Sequence, residues 1–374
     1  MMISISCTDG QENVVKSPEL QTEVPNSNID SNSTEETSGN TSENSNSDSD
    51  SNSTEETSGN TSENSNSTND SYQTTADLNK IYFIDEEIGF IAGDGVVLKT
   101  NNGGQTWTSI KEDKNIKFRS IHFENKSIGL VGGNDGFYSY VYLTNNGGLT
   151  WEQILRVWYS NESNEVINLF GNKNSRNIIL FINQYPNSTQ AYGHVYISKN
   201  AGEDWNRIGL GGRTGISSAF KLNDKIYFMS KSSWTGSTWA TSFYESYFLD
   251  EQRSERIDVH NSGNISSNDM FFNSELGFSC GNQGSFAITS DAGKNWTSKT
   301  IQGYSESNFT SIDFNSNSEG ILSTDEGEIL ISPDNGQSWS LKYDLGKKIN
   351  DIKFLNQNKF IVIGDEGLLE ILEF

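Results

Sequence analysis

Residues 100–107 read TNNGGQTW, and residues 144–151 read TNNGGLTW. The pattern generalises to Ser/Thr, x, Asn/Asp, x, Gly, x, x, Trp, and it returns as SKNAGEDW at 198–205, TSDAGKNW at 289–296 and SPDNGQSW at 332–339. The closing tryptophans, Trp107, Trp151, Trp205, Trp296 and Trp339, lie 44, 54, 91 and 43 residues apart, so the widest gap holds two periods. A unit of about 45 residues that recurs in register buries its apolar face against its neighbours, which confines the chain to a repeat architecture.

A second marker sets the count. Each unit begins with a short apolar run ending in Phe: KIYF, SIHF, INLF, SSAF, MFF, SIDF and DIKF, closed by Phe83, Phe123, Phe170, Phe220, Phe272, Phe314 and Phe354. Within the first unit, KIYF, IGFIAG, VVLKT and TWTSI are separated by Gly and Asn turns, which reads as a four-stranded antiparallel meander. Four strands per period of about 45 residues predict blades of an all-β propeller. The expectation is therefore a seven-bladed β-propeller of four-stranded antiparallel blades over residues 71–374. The last unit reaches only its third strand, GLLEILEF, and SYQTTAD at 71–77 lies where a missing strand would fall. An N-terminal strand pairing with the C-terminal blade is expected to close the ring.

Residues 1–70 read differently. They are rich in Ser, Asn, Thr, Glu and Asp, and DSNSTEETSGNTSENSNS occurs from Asp30 and again from Asp50. Such a stretch buries too little apolar area to offset its ordering entropy, so a disordered acidic tail is expected. Residues 1–77 carry 15 acids against one Lys, and the remainder carries 35 acids against 25 bases. Neither part offers a basic surface for nucleic acid. The opening MMISISC resembles the end of a bacterial lipoprotein signal peptide, which implies acylation at Cys7 and a place in the cell envelope, as an outer-membrane, periplasmic or secreted protein. A free cytosolic Cys7 is the alternative. With Cys280 the only other cysteine, no disulfide framework is evident.

The recurring motif is similar to the Asp-box, or bacterial neuraminidase repeat. The short blades, with G-x-x-G before the third strand, look most like the photosystem II assembly and stability factor family of propellers. That resemblance implies a stable binding or assembly scaffold, and a monomer acting on a protein or glycan partner is the expectation for this chain. The residue choice also has a physical reading with no ligand. Asn102, Asn146, Asn200, Asp291 and Asp334 place a short side-chain oxygen where it accepts N–H bonds within its own turn. Gly104, Gly148, Gly202, Gly293 and Gly336 fall where the chain needs positive φ. Trp107, Trp151, Trp205, Trp296 and Trp339 then bury large rings between neighbouring blades.

Binding is expected elsewhere. The third and fourth units carry VWYSNESNEV, NQYPNSTQAYGHVY and SSWTGSTWATSFYESY in place of tight turns, and long loops on a rigid scaffold are where recognition sits. Trp158, Tyr185, Tyr192, Trp234 and Trp239 are the candidate ligand-binding residues. The second-to-third-strand turns hold GDG at 93–95, NDG at 134–136 and DEG at 325–327 and 365–367, which read either as a carboxylate-lined cation surface or as ordinary Asp-Gly hairpin turns. A carbohydrate-active hydrolase, sialidase-like or another glycosidase, is the alternative function, since sialidases also contain Asp-boxes. No Arg-Ile-Pro strand or matching arginine arrangement is present, however, so no catalytic residue is assigned. His122, His194 and His260 lie in separate units without zinc-ligand spacing, so neither a metal nor a cofactor is expected.

Overall fold

The computed structural model describes residues 72–158, 163–172, 174–187, 190–209, 214–223, 225–231, 233–234, 239–247 and 265–374. The expected tail at 1–70, with Cys7, lies outside the described residues.

The described chain is almost entirely strand. One six-stranded sheet runs in the order β1 (Leu78–Phe83), β2 (Gly89–Thr100), β3 (Thr108–Phe123), β4 (Gly129–Asn134), β5 (Tyr138–Thr144) and β6 (Glu152–Trp158). A four-stranded sheet follows, β7 (Ser163–Asn172), β8 (Asn177–Asn187), β9 (Gln190–Ser198) and β10 (Asn206–Gly209). Next, β11 (Ile216–Leu222) and β12 (Lys225–Ser230) form a three-stranded sheet with β15 (Phe243–Tyr247), while β13 (Ser233–Trp234) and β14 (Trp239–Ala240) make a separate two-stranded ribbon. Two four-stranded sheets come after them. One is β16 (Asp269–Asn273), β17 (Leu276–Cys280), β18 (Phe286–Thr289) and β19 (Thr297–Lys299); the other is β20 (Phe309–Phe314), β21 (Gly320–Thr324), β22 (Glu328–Ser332) and β23 (Ser340–Asp344). The last sheet, β24 (Ile349–Phe354), β25 (Lys359–Gly364) and β26 (Leu369–Glu373), has three strands.

The fold is an all-β propeller, but the expectation of seven separate four-stranded blades is corrected. Among the described residues the strands gather into six blade sheets, the ribbon aside. The difference arises at KEDKNIK, Lys111 to Lys117, a polar stretch between the first two units. It stays extended, so β3 runs for 16 residues from its pairing with β2 to its pairing with β4 and fuses two units into one sheet. The closure is corrected as well. Residues 72–77 form no strand. Their backbone accepts from Gly367 N–H at the Ala76 carbonyl (3.1 Å) and from Asp94 N–H at the Asp77 carbonyl (2.8 Å), while Tyr72 and Ala76 pack beside Trp107, Ile361 and Leu369.

Each Asp-box turn is fastened twice. The first hydroxyl accepts the glycine N–H, as in Gly104 to Thr100 Oγ1 (3.0 Å) and Gly336 to Ser332 Oγ (2.8 Å). The Asn or Asp accepts an N–H four residues on, as in Thr106 to Asn102 Oδ1 (2.9 Å) and Asn295 to Asp291 Oδ1 (2.8 Å). The glycine also abuts the preceding unit. A Cβ on Gly148 would sit 2.5 Å from Ile110, one on Gly202 2.7 Å from Ile154, and one on Gly293 2.3 Å from Phe243. Gly104, at φ 84°, lies against Ile371 of the last sheet, so the same contact that joins neighbours also closes the circle. Trp107 and Trp296 are buried, whereas Trp151, Trp205 and Trp339 are half-buried.

The inner strands are β1, β3, β7, β11, β16, β20 and β24, the first sheet supplying two of them. Their channel-facing backbone would be left as unpaired sheet edges, and polar side chains from the adjacent inner strand cover it. Asp351 Oδ2 accepts Ile81 N–H (2.8 Å), Asp313 Oδ2 accepts Phe354 N–H (2.8 Å), Asp269 Oδ2 accepts Ile312 N–H (3.2 Å) and Ser120 Oγ accepts Leu169 N–H (3.0 Å). Asn79 donates to the Phe118 carbonyl (2.9 Å), Asn168 to that of Ala219 (3.0 Å) and Asn350 to that of Leu78 (3.0 Å). Ser218 and Ser267 share a hydroxyl bond (2.6 Å) across the remaining junction. A register shift precedes many of these residues, at Leu78/Lys80, Phe118/Ser120, Val166/Asn168, Ile216/Ser218, Phe309/Ser311 and Ile349/Asp351. Such bulges re-aim the residues that follow them.

Replacing Trp107 by Ala removes a ring that is 3% exposed and meets Phe83 edge-on at 6.2 Å. The expected cost is about 3–5 kcal/mol in denaturant unfolding. A loss below about 1 kcal/mol, the range of surface substitutions, would contradict this packing role.

Candidate functional site

Two regions of the propeller present chemistry. The first is the end of the sheets that carries the second-to-third-strand turns. Trp158 closes β6, pairs in register with Tyr138 and is 51% exposed. Phe137, in the turn between β4 and β5, is 61% exposed. Behind them a ladder of Tyr138, Tyr140 and Tyr142 runs along β5, with ring spacings of 6.1 and 6.2 Å. The Arg156 guanidinium lies 3.7 Å from the Tyr138 centroid, and Lys111 Nζ lies 3.9 Å from that of Tyr142. Cations over desolvated aromatic faces stiffen such a ladder.

Tyr185 sits near the same end of the next sheet. Its hydroxyl donates to Glu165 Oε2 (2.5 Å) and accepts from Lys231 Nζ (2.8 Å) and Asn183 Nδ2 (3.3 Å). Burial, then the Glu165 carboxylate, hold this phenol well above its usual pKa. Tyr192 is half-buried on β9, opposite Gln184. Trp234 and Trp239 face each other in register in the β13–β14 ribbon. The five candidate residues thus fall at one end of consecutive sheets. Among the described residues, no ring contact joins Trp158, Tyr185 and Tyr192. The Asp-box turns occupy the opposite end, where Gly103 N–H reaches the Glu87 carbonyl (2.8 Å) and Gly147 N–H that of Ser127 (2.8 Å).

The turn carboxylates are engaged by protein. Asp94 accepts from Asn79 (2.9 Å) and pairs with Lys117 (3.0 Å) and Arg119 (3.5 Å). Asp135 accepts from Phe137 N–H (2.9 Å), Tyr138 N–H (2.7 Å) and the Tyr140 hydroxyl (2.7 Å). Asp325 accepts from Asn308 (2.9 Å), and Asp365 from Asn350 (2.7 Å). Among the described residues no group of three or more His, Cys, Asp or Glu is placed to hold a metal ion. No helix of the described residues is long and apolar enough to cross a membrane.

The second region is a cavity of about 440 Å³ in the channel, walled by the inner strands. Lys80 pairs with Asp351 (3.1 Å) and Lys353 with Asp313 (2.5 Å), while Lys221 donates to the Gly171 carbonyl (2.6 Å). Burial alone would lower the Lys80 pKa, but Asp351, Asp269 and Asp313 outweigh it and raise it above the usual value. His122 is 6% exposed, and its Nε2 lies 3.2 Å from the Gly171 carbonyl, a bond the neutral ring makes as donor. Burial, then the nearby Lys221 charge, depress its pKa to about 3.

Sequence reasoning missed both Phe137 and the channel lysines. The signals were available. An aromatic residue directly follows Asn-Asp-Gly at 134–136, and single lysines interrupt the Phe-ended runs NKIYF, AFKL and DIKF.

A rigid all-β ring with exposed aromatic residues at one end and a polar channel defines a binding propeller. The family model for the photosynthesis system II assembly factor YCF48 matches residues 60–372, and the chain belongs to that family. A structure of YCF48 bound to D1 peptide is similar, with a TM-score of 0.59 and 20% identity over 80% of this chain and 92% of that one. YCF48 from Cyanidioschyzon merolae is similar with a TM-score of 0.55 and 16% identity, over 80% and 96% of the two chains. The WD40 β-propeller domain of Doa1 shares the fold at a TM-score of 0.54 and 12% identity, over 80% and 94%. No curated protein matches the chain.

The histidine makes a prediction for stability against pH. A base whose folded pKa lies below its unfolded value contributes stability fully above the unfolded value, here 6.5, and loses it as pH falls toward about 3. His122→Gln is expected to flatten the fall in denaturant midpoint between those two values. An unchanged slope would mean that His122 is not held neutral by the fold.

Proposed function

We propose that this chain is a non-enzymatic assembly scaffold that holds an extended segment of a protein partner against the aromatic end of its propeller, around Phe137, Trp158 and Tyr185. The observation that carries this reading is the pair of large exposed side chains, Phe137 and Trp158, beside a tyrosine ladder whose Tyr140 and Tyr142 are buried and whose half-buried Tyr138 lies under Arg156. Exposed rings on a preorganised base give contact area with little further loss of conformational freedom, as binding hot spots require. Membership of the YCF48 family supports a protein partner, because a family structure is recorded with a bound D1 peptide. The irregular strands β8 and β9 and the β13–β14 ribbon border the same surface, and we assign partner selectivity to them. Its place of action in this reading is the cell envelope, with Cys7 as the anchor point and the acidic tail as spacer.

Photo-crosslinking tests the face. A benzoylphenylalanine replacing Trp158 is compared with one replacing Leu149, which is 84% exposed in an Asp-box turn at the opposite end. In an envelope extract, a discrete protein adduct from position 158 and none from position 149 is expected. Equal adducts from both positions, or none from 158, would contradict the assignment. Trp158→Ala is expected to change folding stability by no more than about 0.5 kcal/mol while abolishing capture of that partner.

A further inference from the structure

We propose that the channel cavity is a second binding site, separate from the aromatic end, for a small organic carboxylate with an apolar body. The shared chemistry is a carboxylate beside an apolar group, supplied either by a free acid or by the C-terminus of a peptide chain.

The argument rests on which hydrogen-bonding groups the wall consumes. Asp351 Oδ2 takes Ile81 N–H (2.8 Å), and its Oδ1 takes Lys80 (3.1 Å) and the Ser311 hydroxyl (2.7 Å). Asp313 likewise divides its oxygens between Phe354 N–H (2.8 Å) and Lys353 (2.5 Å). Both carboxylates are turned into the wall, with side chains 4% and 3% exposed, while those of Lys80 and Lys353 are 31% and 40% exposed. An ammonium has three N–H donors, and each of these lysines spends one on its carboxylate. Asp269, half-buried in the same lining, gives its Oδ2 to Ile312 N–H (3.2 Å) and the Ser311 hydroxyl (2.8 Å), while Lys80 and Lys353 keep further donors for the cavity. Lysine charge enters the lumen of a protein that is otherwise acidic.

The rest of the lining suits the other half of such a ligand. Tyr82, Phe170, Phe220, Met270 and Ile352 border the same cavity, with Asn168 and Asn223 beside them. A volume of about 440 Å³ falls within the range of small-molecule sites, about 300–1,000 Å³, and admits an aryl or branched aliphatic acid. A carboxylate accepting from Lys80 and Lys353 makes charge-assisted hydrogen bonds, which are about twice as strong as neutral ones.

The test uses 3-phenylpropionate against its uncharged amide, and the dipeptide Ala-Phe against Ala-Phe-amide, titrated into the full chain by calorimetry. Binding of at least one free acid, with its amide weaker by at least about tenfold, is expected. Binding of 3-phenylpropionate alone assigns the site to free acids, and binding of Ala-Phe assigns it to chain termini. Lys353→Met is expected to weaken binding at least about tenfold. Because it strands Asp313, Lys353→Arg serves beside it, keeping charge and fold and retaining most of the affinity. Equal binding of acids and amides, no binding of either acid, or undiminished affinity in a folded Lys353→Met protein would overturn the proposal.

Discussion

The structure depends on how its inner strands are satisfied. A propeller blade ends at the channel in a bare strand edge, and a buried edge of unpaired N–H and C=O groups is costly. Here each junction carries a side chain from one inner strand to the backbone, or to a polar side chain, beside the next. Asp351 takes the Ile81 amide, Asp313 that of Phe354, Asp269 that of Ile312 and Ser120 that of Leu169. One set of bonds thereby satisfies the edges and ties sheet to sheet. Leaving such a buried donor without its partner costs about 1–3 kcal/mol, so the bonds are directional constraints as well as attractions.

The same constraint shapes the channel. Two of the carboxylates that reach the neighbouring backbone, Asp351 and Asp313, are paired in the wall with Lys80 and Lys353. Their ammonium groups then face the lumen, which gives the cavity its polarity. Further out, the Asp-box turns act on the sheets' other connections, seating Gly104, Gly148, Gly202, Gly293 and Gly336 against an apolar residue of the unit before. At the opposite end neighbouring sheets are also bridged, as by Lys231 to the Tyr185 hydroxyl (2.8 Å) and Asn164 N–H to the Gly136 carbonyl (3.2 Å). That end also carries the exposed Phe137 and Trp158 and the longer strands β8 and β9.

Much of this was legible in the sequence because the determinants are local. The Asp-box residues lie within eight positions of one another, so their turn chemistry shows without knowledge of the fold. The Phe-ended runs likewise mark β1, β3, β7, β11, β16, β20 and β24. What was hidden is non-local. The fusion of two units through β3 follows from a polar stretch, Lys111 to Lys117, that stays extended against the alternation expected of a strand. The junction residues follow bulges that break the same alternation, so Ser120, Asn168 and Asp351 read as ordinary polar positions. Their partners lie about 40 to 50 residues away, or 270 for Asp351 and Ile81. The candidate aromatic residues were found as loop composition, yet Phe137 was passed over because its turn is short.

Native-state hydrogen exchange at the amides of Ile81, Leu169, Ile312 and Phe354 tests the central claim most directly. These amides face an adjacent inner strand and are held by its side chains, Leu169 also by Asn168 Oδ1 of its own strand (3.0 Å). They are predicted to exchange as slowly as interior amides of β2 and β21, through global unfolding, with Ser120→Ala releasing Leu169. Exchange as fast as that of the exposed outer strand β19 would contradict the account, because the junction bonds would then not be holding the ring.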